Sequence, residues 1–441
     1  MTSHSAQHSP SGPPLLSGAC PVRHGNPAAV PLSSQQMLDD PSVFYAGLRE
    51  YGPVMPIHLD GDVPAWLVTG YDAGCHVLKG SHKGRRLFTR DLGQWGVAAQ
   101  GQLPPGWPLA PHVAPMENML FASGDEHVRL RGAFRSSLRR VSSARRKVII
   151  GRAADQLIDS FVDQGSADLV SQYALPLPVA VLTRLFGFPP EEAARLQRVI
   201  PTLLAGGEGA LDANEELTDV IASHVERRRR TPRGDIVSGL IEAGLTAQET
   251  CNTVWLAINA GVGATTAWTA NTCVLVARAE DARIDLRTGM TSTPAVMNEV
   301  LWNHTPVQQV IGRVATADVD LFNTDVRRGD LLVISVGASN LDEQFGDART
   351  RPRNIVGNES HLSWGLGDHE CPAQPEATSI VEGGVNRLWT RLDDLHLSNP
   401  EQPTQWNPSI IVRIPTRVDV SFDPVRARAR AQTLAPTGDH P

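Results

Sequence analysis

Cysteine is scarce in this 441-residue chain, and it is never paired. The five, Cys20, Cys75, Cys251, Cys273 and Cys371, are widely scattered with no Cys-x-x-Cys among them. An odd number so spaced argues against a disulfide framework or a zinc set and for a reducing, cytoplasmic setting. Long apolar runs are absent too. No stretch approaches the ~20 residues that a membrane span needs, and the Pro/Ser/Gly-rich start (MTSHSAQHSPSGPPLLSG) has no signal-peptide core. No membrane partner is expected. Positive charge is not in excess: 40 Lys and Arg stand against 47 Asp and Glu, a net −7. The global signature of a nucleic-acid binder is therefore missing. So are His-Glu-x-x-His, a Gly-x4-Gly-Lys phosphate loop and a Gly-x-Ser-x-Gly elbow. No repeat of fixed period and no linker-like stretch interrupts the middle of the chain. One domain over 26–425 is expected, flanked by aperiodic segments, 1–25 and 426–441, that read as disordered.

What is present is concentrated in HLSWGLGDHECPAQPEA, residues 361–377. Two glycines, Gly365 and Gly367, let a backbone run flat against a bulky partner. Then come His369, Cys371 and Pro372, just ahead of a helical pattern (EATSIVEGGVNRLWTRL). A helix start favours a thiolate through its N–H groups and dipole. Such a sulfur can be a nucleophile or a soft metal ligand. The remaining four cysteines show no metal pattern and read as small core or surface residues.

Elsewhere helical patterns dominate. Residues 40–54 read as a short amphipathic helix ended by Gly52-Pro53, and 71–80 as another. Helical periodicity runs from Gly124 through 188 and again over 190–230 and 246–279. Strand-like pieces are few: MPIHL with AWLVTG, VIGRVATADVDL with RRGDLLVISV, and PSIIVRIP with VDVSF. Residues 88–118 hold five prolines, four glycines and two tryptophans, a long irregular segment of the kind that is usually functional. The fold class is mainly α with a small β region.

On the helix from Gly124, His127 and Arg131 are spaced i, i+4 and share a face that suits a dianion. On 246–279 the middle reads INAGVGATTAWTA. Its Gly261-x-Gly263 is no dinucleotide loop, because the residues before it are helical and no third glycine follows at the right spacing.

Trp364-Gly365-x-Gly367-x-His369-x-Cys371 resembles the haem-thiolate loop of the cytochromes P450, and the order of the other segments is similar to that family over nearly the whole chain. The resemblance implies haem b as cofactor, with Cys371 as the axial iron ligand. It implies that His127, Arg131 (in SGDEHVRLR), Arg313 (in VIGRVAT) and His369 hold the haem propionates. Thr265 and Thr266 would supply distal hydroxyls, with Gly261 and Ala264 lining the pocket. The segment 88–118 would form the pocket lid, its Trp95 and Trp107 offering apolar contact. The implied activity is monooxygenation of a small lipophilic substrate with electrons from a ferredoxin or similar partner. Arg135, Arg139, Arg140, Arg145, Arg146 and Lys147 are the surface where such an acidic protein would dock.

Two positions depart from the family pattern. Where the family has an acid before the distal threonine, this chain has Ala264, which can neither donate nor accept a proton. Where the family has Glu-x-x-Arg, it has Glu299-Val-Leu-Trp302, as in a small actinobacterial subgroup. Indole cannot form the fork-like pair that an arginine makes, so Glu299 would turn to a downstream arginine, Arg351 or Arg353. These departures carry the alternative: an atypical haem-thiolate protein, peroxide-driven or acting as a binding or signalling partner.

Overall fold

The computed structural model describes residues 30–32, 37, 40–82, 84–345, 357–392 and 394–434. Its principal helices are α1 (Pro41–Arg49), α2 (Tyr71–Lys79), α3 (Gly124–Leu138), α4 (Ser143–Phe161), α5 (Pro176–Phe186), α6 (Pro190–Ala205), α7 (Ala210–Arg230), α8 (Ala247–Arg278), α9 (Thr293–Asn303), α10 (Gln374–Arg391) and α11 (Pro424–Leu434). The largest sheet has six strands: β1 (Val30–Pro31), β2 (Val54–Leu59), β3 (Val63–Val68), β4 (Phe88–Thr89), β5 (Gln309–Ala315) and β6 (Leu331–Ser335). Their spatial order is β1-β2-β3-β6-β5-β4. The mainly helical class with a small β region is what the sequence predicts.

The long helix α8 is the axis of the helical part. It begins with a capping box: the Thr246 hydroxyl accepts from the Glu249 N–H at 3.1 Å, and the Glu249 carboxylate accepts from the Thr246 N–H at 2.9 Å. The same carboxylate pairs with Arg129 of α3, so the start of α8 is tied to the helix that carries His127. Apolar residues of α8, such as Val254 and Ile258, join the main core with Phe161 of α4, Leu177 of α5 and Val385 of α10. Burial of this contiguous apolar surface, at roughly 25 cal/mol per Å², is the main force holding the helices together. Two further apolar clusters lie on either side of the sheet.

Three expectations fail here. Trp95 and Trp107 are core residues and not contacts of a lid: they are 1% and 3% exposed, their rings meet at a 50° tilt 5.8 Å apart, and they belong to the core beneath β2 and β3. The Trp107 indole N–H donates to the Asp60 carbonyl at 2.7 Å, so the ring closes a core with its polar tip satisfied. The stretch 408–415 does not pair with VDVSF. Asp419–Ser421 pairs instead with His396–Leu397 and Ser166–Asp168, while 408–415 makes only isolated bridges. Prolines at both ends remove donors, and the Ser409 hydroxyl captures the N–H groups of Ile411 and Val412. The residues from 426 to 434 are helical in α11, with Ala427 buried in the main core and Arg428 paired with Asp163. The N-terminal segment 1–25 lies outside the described residues.

Candidate functional site

Cys371 sits three residues ahead of α10, and its own N–H donates to the Trp364 carbonyl at 2.8 Å, which folds the loop back on itself. Gly367, at φ +77°, makes this possible. A Cβ there would stand 3.0 Å from the Lys79 Cα at the end of α2, and few side chains tolerate that φ. The Ala373 N–H donates to the sulfur, but burial outweighs it and pushes the Cys371 thiol up from its usual range. The helix start alone therefore does not yield a thiolate; a metal would have to displace the proton. Arg146 of α4 anchors the loop's far side through Glu376 at 2.8 Å, with both partners nearly buried.

Beside this loop four elements bring basic groups together. His127 and Arg131 come from α3, Arg313 from β5, and His369 from the cysteine loop; the His127 and His369 rings stand 4.3 Å apart. The sequence reading missed a further member, Arg90, which follows β4. Burial and the neighbouring arginines hold His127 below its ordinary range and His369 at about 2, so both rings are neutral near pH 7. The charge is carried by the arginines. Burial lowers Arg313 only to about 10, which leaves it protonated. Among the described residues none of Arg90, Arg131 and Arg313 has a carboxylate within ion-pair distance, while the nearby Asp368 pairs with Arg86 at 3.7 Å. His127 Nε2, Arg313 Nε and Arg90 Nε are buried with no hydrogen-bond partner. Orphaned donors and uncompensated guanidiniums at one place call for an anionic ligand with several acceptor oxygens.

The opposite wall is α8. Gly261, Ala264 and Trp268 follow at i, i+3 and i+7 on one face, and the Trp268 ring meets Trp364 of the cysteine loop edge-on at 5.3 Å. That contact orients the small-residue face toward the loop. Thr265 and Thr266 are buried beside it. The Thr265 carbonyl accepts from Thr269 Oγ1 at 2.8 Å, whereas Thr266 Oγ1 is buried without a partner. The structure thus brings together Cys371, His369, Trp364 and Gly365 with His127, Arg131 and Arg313, and turns Gly261 and Ala264 to the same side.

Glu299 and Trp302 lie on α9. Trp302 is 1% exposed, its indole N–H donates to the Asn358 carbonyl at 2.8 Å, and its ring packs edge-on against Phe345 and His361. Arg351 and Arg353 lie outside the described residues. Of the six cations read as a docking surface, Arg140 is engaged by Glu242, Arg146 by Glu376, and Arg145 donates to the Gly234 carbonyl at 3.2 Å. Arg135, Arg139 and Lys147 are exposed. Among the described residues no helix is long and apolar enough to cross a membrane.

No family model matches the chain. Known proteins do. Cytochrome P450 105C1 from a Streptomyces species is 30% identical over 368 residues, which cover 80% of this chain and 88% of that protein. The chain belongs to the cytochrome P450 family. The 6-deoxyerythronolide B hydroxylase of Saccharopolyspora erythraea is 28% identical over 393 residues, covering 85% of this chain and 95% of the relative. In structure, the P450 CYP154C4 of Streptomyces superposes with a TM-score of 0.79 at 26% identity, covering 89% of this chain and 98% of the other. As a P450 the chain is an oxidoreductase whose cofactor is haem b. The residues present fit that group: a single cysteine, a face of small residues across from it, and arginines lacking counter-charge where two carboxylates would lie.

Proposed function

We propose that this P450 is a haem-thiolate monooxygenase that inserts one oxygen atom of O2 into a small lipophilic molecule, with electrons from a ferredoxin and its reductase. The observation that carries the reading is the convergence of Cys371 with three arginines that, among the described residues, lack a carboxylate within ion-pair distance. Cysteinate-bound haem supplies oxygen activation. The chain's own residues do the rest. Arg131 and Arg313, with neutral His127 and His369, would hold the carboxylates of the cofactor. The Ala373 N–H steadies the sulfur. Gly261 and Ala264 leave room for substrate and oxygen, and the hydroxyls of Thr265 and Thr266 hold a water that hands on protons, since Ala264 cannot. Arg135, Arg139 and Lys147 are the cations left for an acidic electron donor. Relatives named as mycinamicin IV hydroxylase/epoxidase and a polyketide-biosynthesis P450 favour a lipophilic secondary metabolite as substrate.

The test is spectroscopic. Reduced, carbon monoxide-treated protein should show the red-shifted Soret band of a thiolate ligand, and Cys371→Ser should abolish it while Cys75→Ser and Cys251→Ser keep it. Folded protein without that band would sink the reading. Ala264 also favours a second reading, a peroxide-driven enzyme. Product formed with peroxide but not with a ferredoxin system would select it, and tight partner binding without turnover by either route would point to a signalling role.

A further inference from the structure

Strand β4 pairs with β5 through Thr89 and Val314, which delivers the next residue, Arg90, beside Gly312 and Arg313. Arg90 is 4% exposed. Its Nη1 donates to the Ile311 carbonyl at 2.5 Å, its guanidinium lies 5.7 Å from the Phe121 ring centre, and its Nε has no partner. Gly312, at φ +100°, clears the space: a Cβ there would stand 3.1 Å from Nη1 and 3.4 Å from Cζ. Asp91, the adjacent acid, is spent on its own turn, accepting from the Gly93 N–H and the Gln94 side chain at 3.0 Å each. Arg313, 3% exposed, has only the Leu78 carbonyl, at 3.0 Å from Nη2. Among the described residues the two buried guanidiniums have only neutral hydrogen-bond partners, with Asp368 acting on Arg313 from beyond ion-pair distance, an arrangement that favours an anion between them. Burial and Arg313 bring Arg90 down to about 9, so the charge persists at neutral pH.

We propose that Arg90 is a further positioning residue of this P450, a third arginine that binds the carboxylates of the cofactor and makes its retention depend on them. This rests on the haem reading above. Without cofactor, Arg90 and Arg313 repel each other and weaken the fold; with it, the same charges hold the cofactor by its acidic edge.

The experiment compares holoprotein reconstituted with haem and with haem dimethyl ester, which lacks both anionic oxygens. Transfer of each to excess apomyoglobin is timed for the full-length wild type, Arg90→Gln and Arg90→Lys. Arg90→Gln should lose haem about tenfold faster, the size of one charged hydrogen bond, and lose the ester at the wild-type rate. Its cofactor-free form should unfold at a higher urea concentration than cofactor-free wild type. Arg90→Lys keeps the charge and should keep the wild-type ratio of haem to ester rates, which guards against a folding failure of the glutamine variant. Equal acceleration for haem and ester would reduce Arg90 to packing and overturn the proposal, as would no change for either. A wild type that binds no haem at all would fail earlier and sink the haem reading itself, an outcome distinct from a wild type that binds haem normally while Arg90→Gln changes nothing.

Discussion

Trp302 stands where a guanidinium is the rule in this family, and its surroundings give a magnitude for what the indole contributes. The ring is 1% exposed and touches Phe345 and His361 edge-on, at 5.0 and 5.7 Å between centres, while its N–H donates to Asn358. Trp302→Phe keeps an aromatic ring but loses that bond, about 1 kcal/mol, and leaves a small void worth about 1 kcal/mol more. The expected cost is about 2 kcal/mol. Trp302→Ala removes the whole ring from a closed site and should cost about 3–5 kcal/mol. Trp302→Arg puts a charge against His361, which burial holds at about 4 and therefore neutral. It should destabilise, not restore, the protein. Urea unfolding of the three variants, followed by circular dichroism at matched haem loading, measures each difference. A Trp302→Phe variant as damaged as Trp302→Ala would refute the packing argument. A Trp302→Arg variant as stable as wild type would show that the family's ion-pair geometry survives intact around Glu299.

Three other outcomes follow from the same reasoning. Thr246→Ala removes the cap of α8 and should lower stability by about 1 kcal/mol in thermal melts, with no change in the haem spectrum. Burial holds His361, which is 5% exposed, at about 4, below its unfolded value of about 6.5. Its contribution is complete above about pH 6.5 and is lost as pH falls toward 4, up to about 3 kcal/mol; His361→Gln should flatten the fall of the urea midpoint across that window. Thr266→Val removes a buried hydroxyl that has no protein partner. Stability should rise by up to about 1 kcal/mol, while product formed per electron consumed should drop if that hydroxyl holds the relay water.

The helical frame was legible because its signals are local. The periodicity of α3 and α8, and the i, i+4 spacing of His127 and Arg131, need no knowledge of the rest of the chain. The cysteine loop was legible for the same reason: its glycines and sulfur are contiguous. What escaped was decided by distant partners. Arg90 lies in an irregular stretch, and only pairing of β4 with β5 carries it to Arg313. Trp95 and Trp107 read as apolar contacts of a pocket lid because nothing in the sequence shows the sheet core that receives them. Arg140 and Arg146 looked like a cationic surface until Glu242 and Glu376, far along the chain, closed on them. The helix α11 was lost to composition, since its arginines disguise the buried Ala427.

The edge-on meeting of Trp268 and Trp364 also gives the molecule an optical signature of its own. Two indoles held 5.3 Å apart at 75° lie close enough for their electronic transitions to mix, and a fixed, chiral arrangement of that kind gives a near-ultraviolet circular dichroism band. Because one ring rides on α8 and the other on the cysteine loop, the band reports whether the two walls have come together. It can be followed in cofactor-free protein, where the haem's own absorption says nothing. Replacing Trp364 by Phe would subtract it and leave the signal of the Trp95 and Trp107 pair as an internal reference.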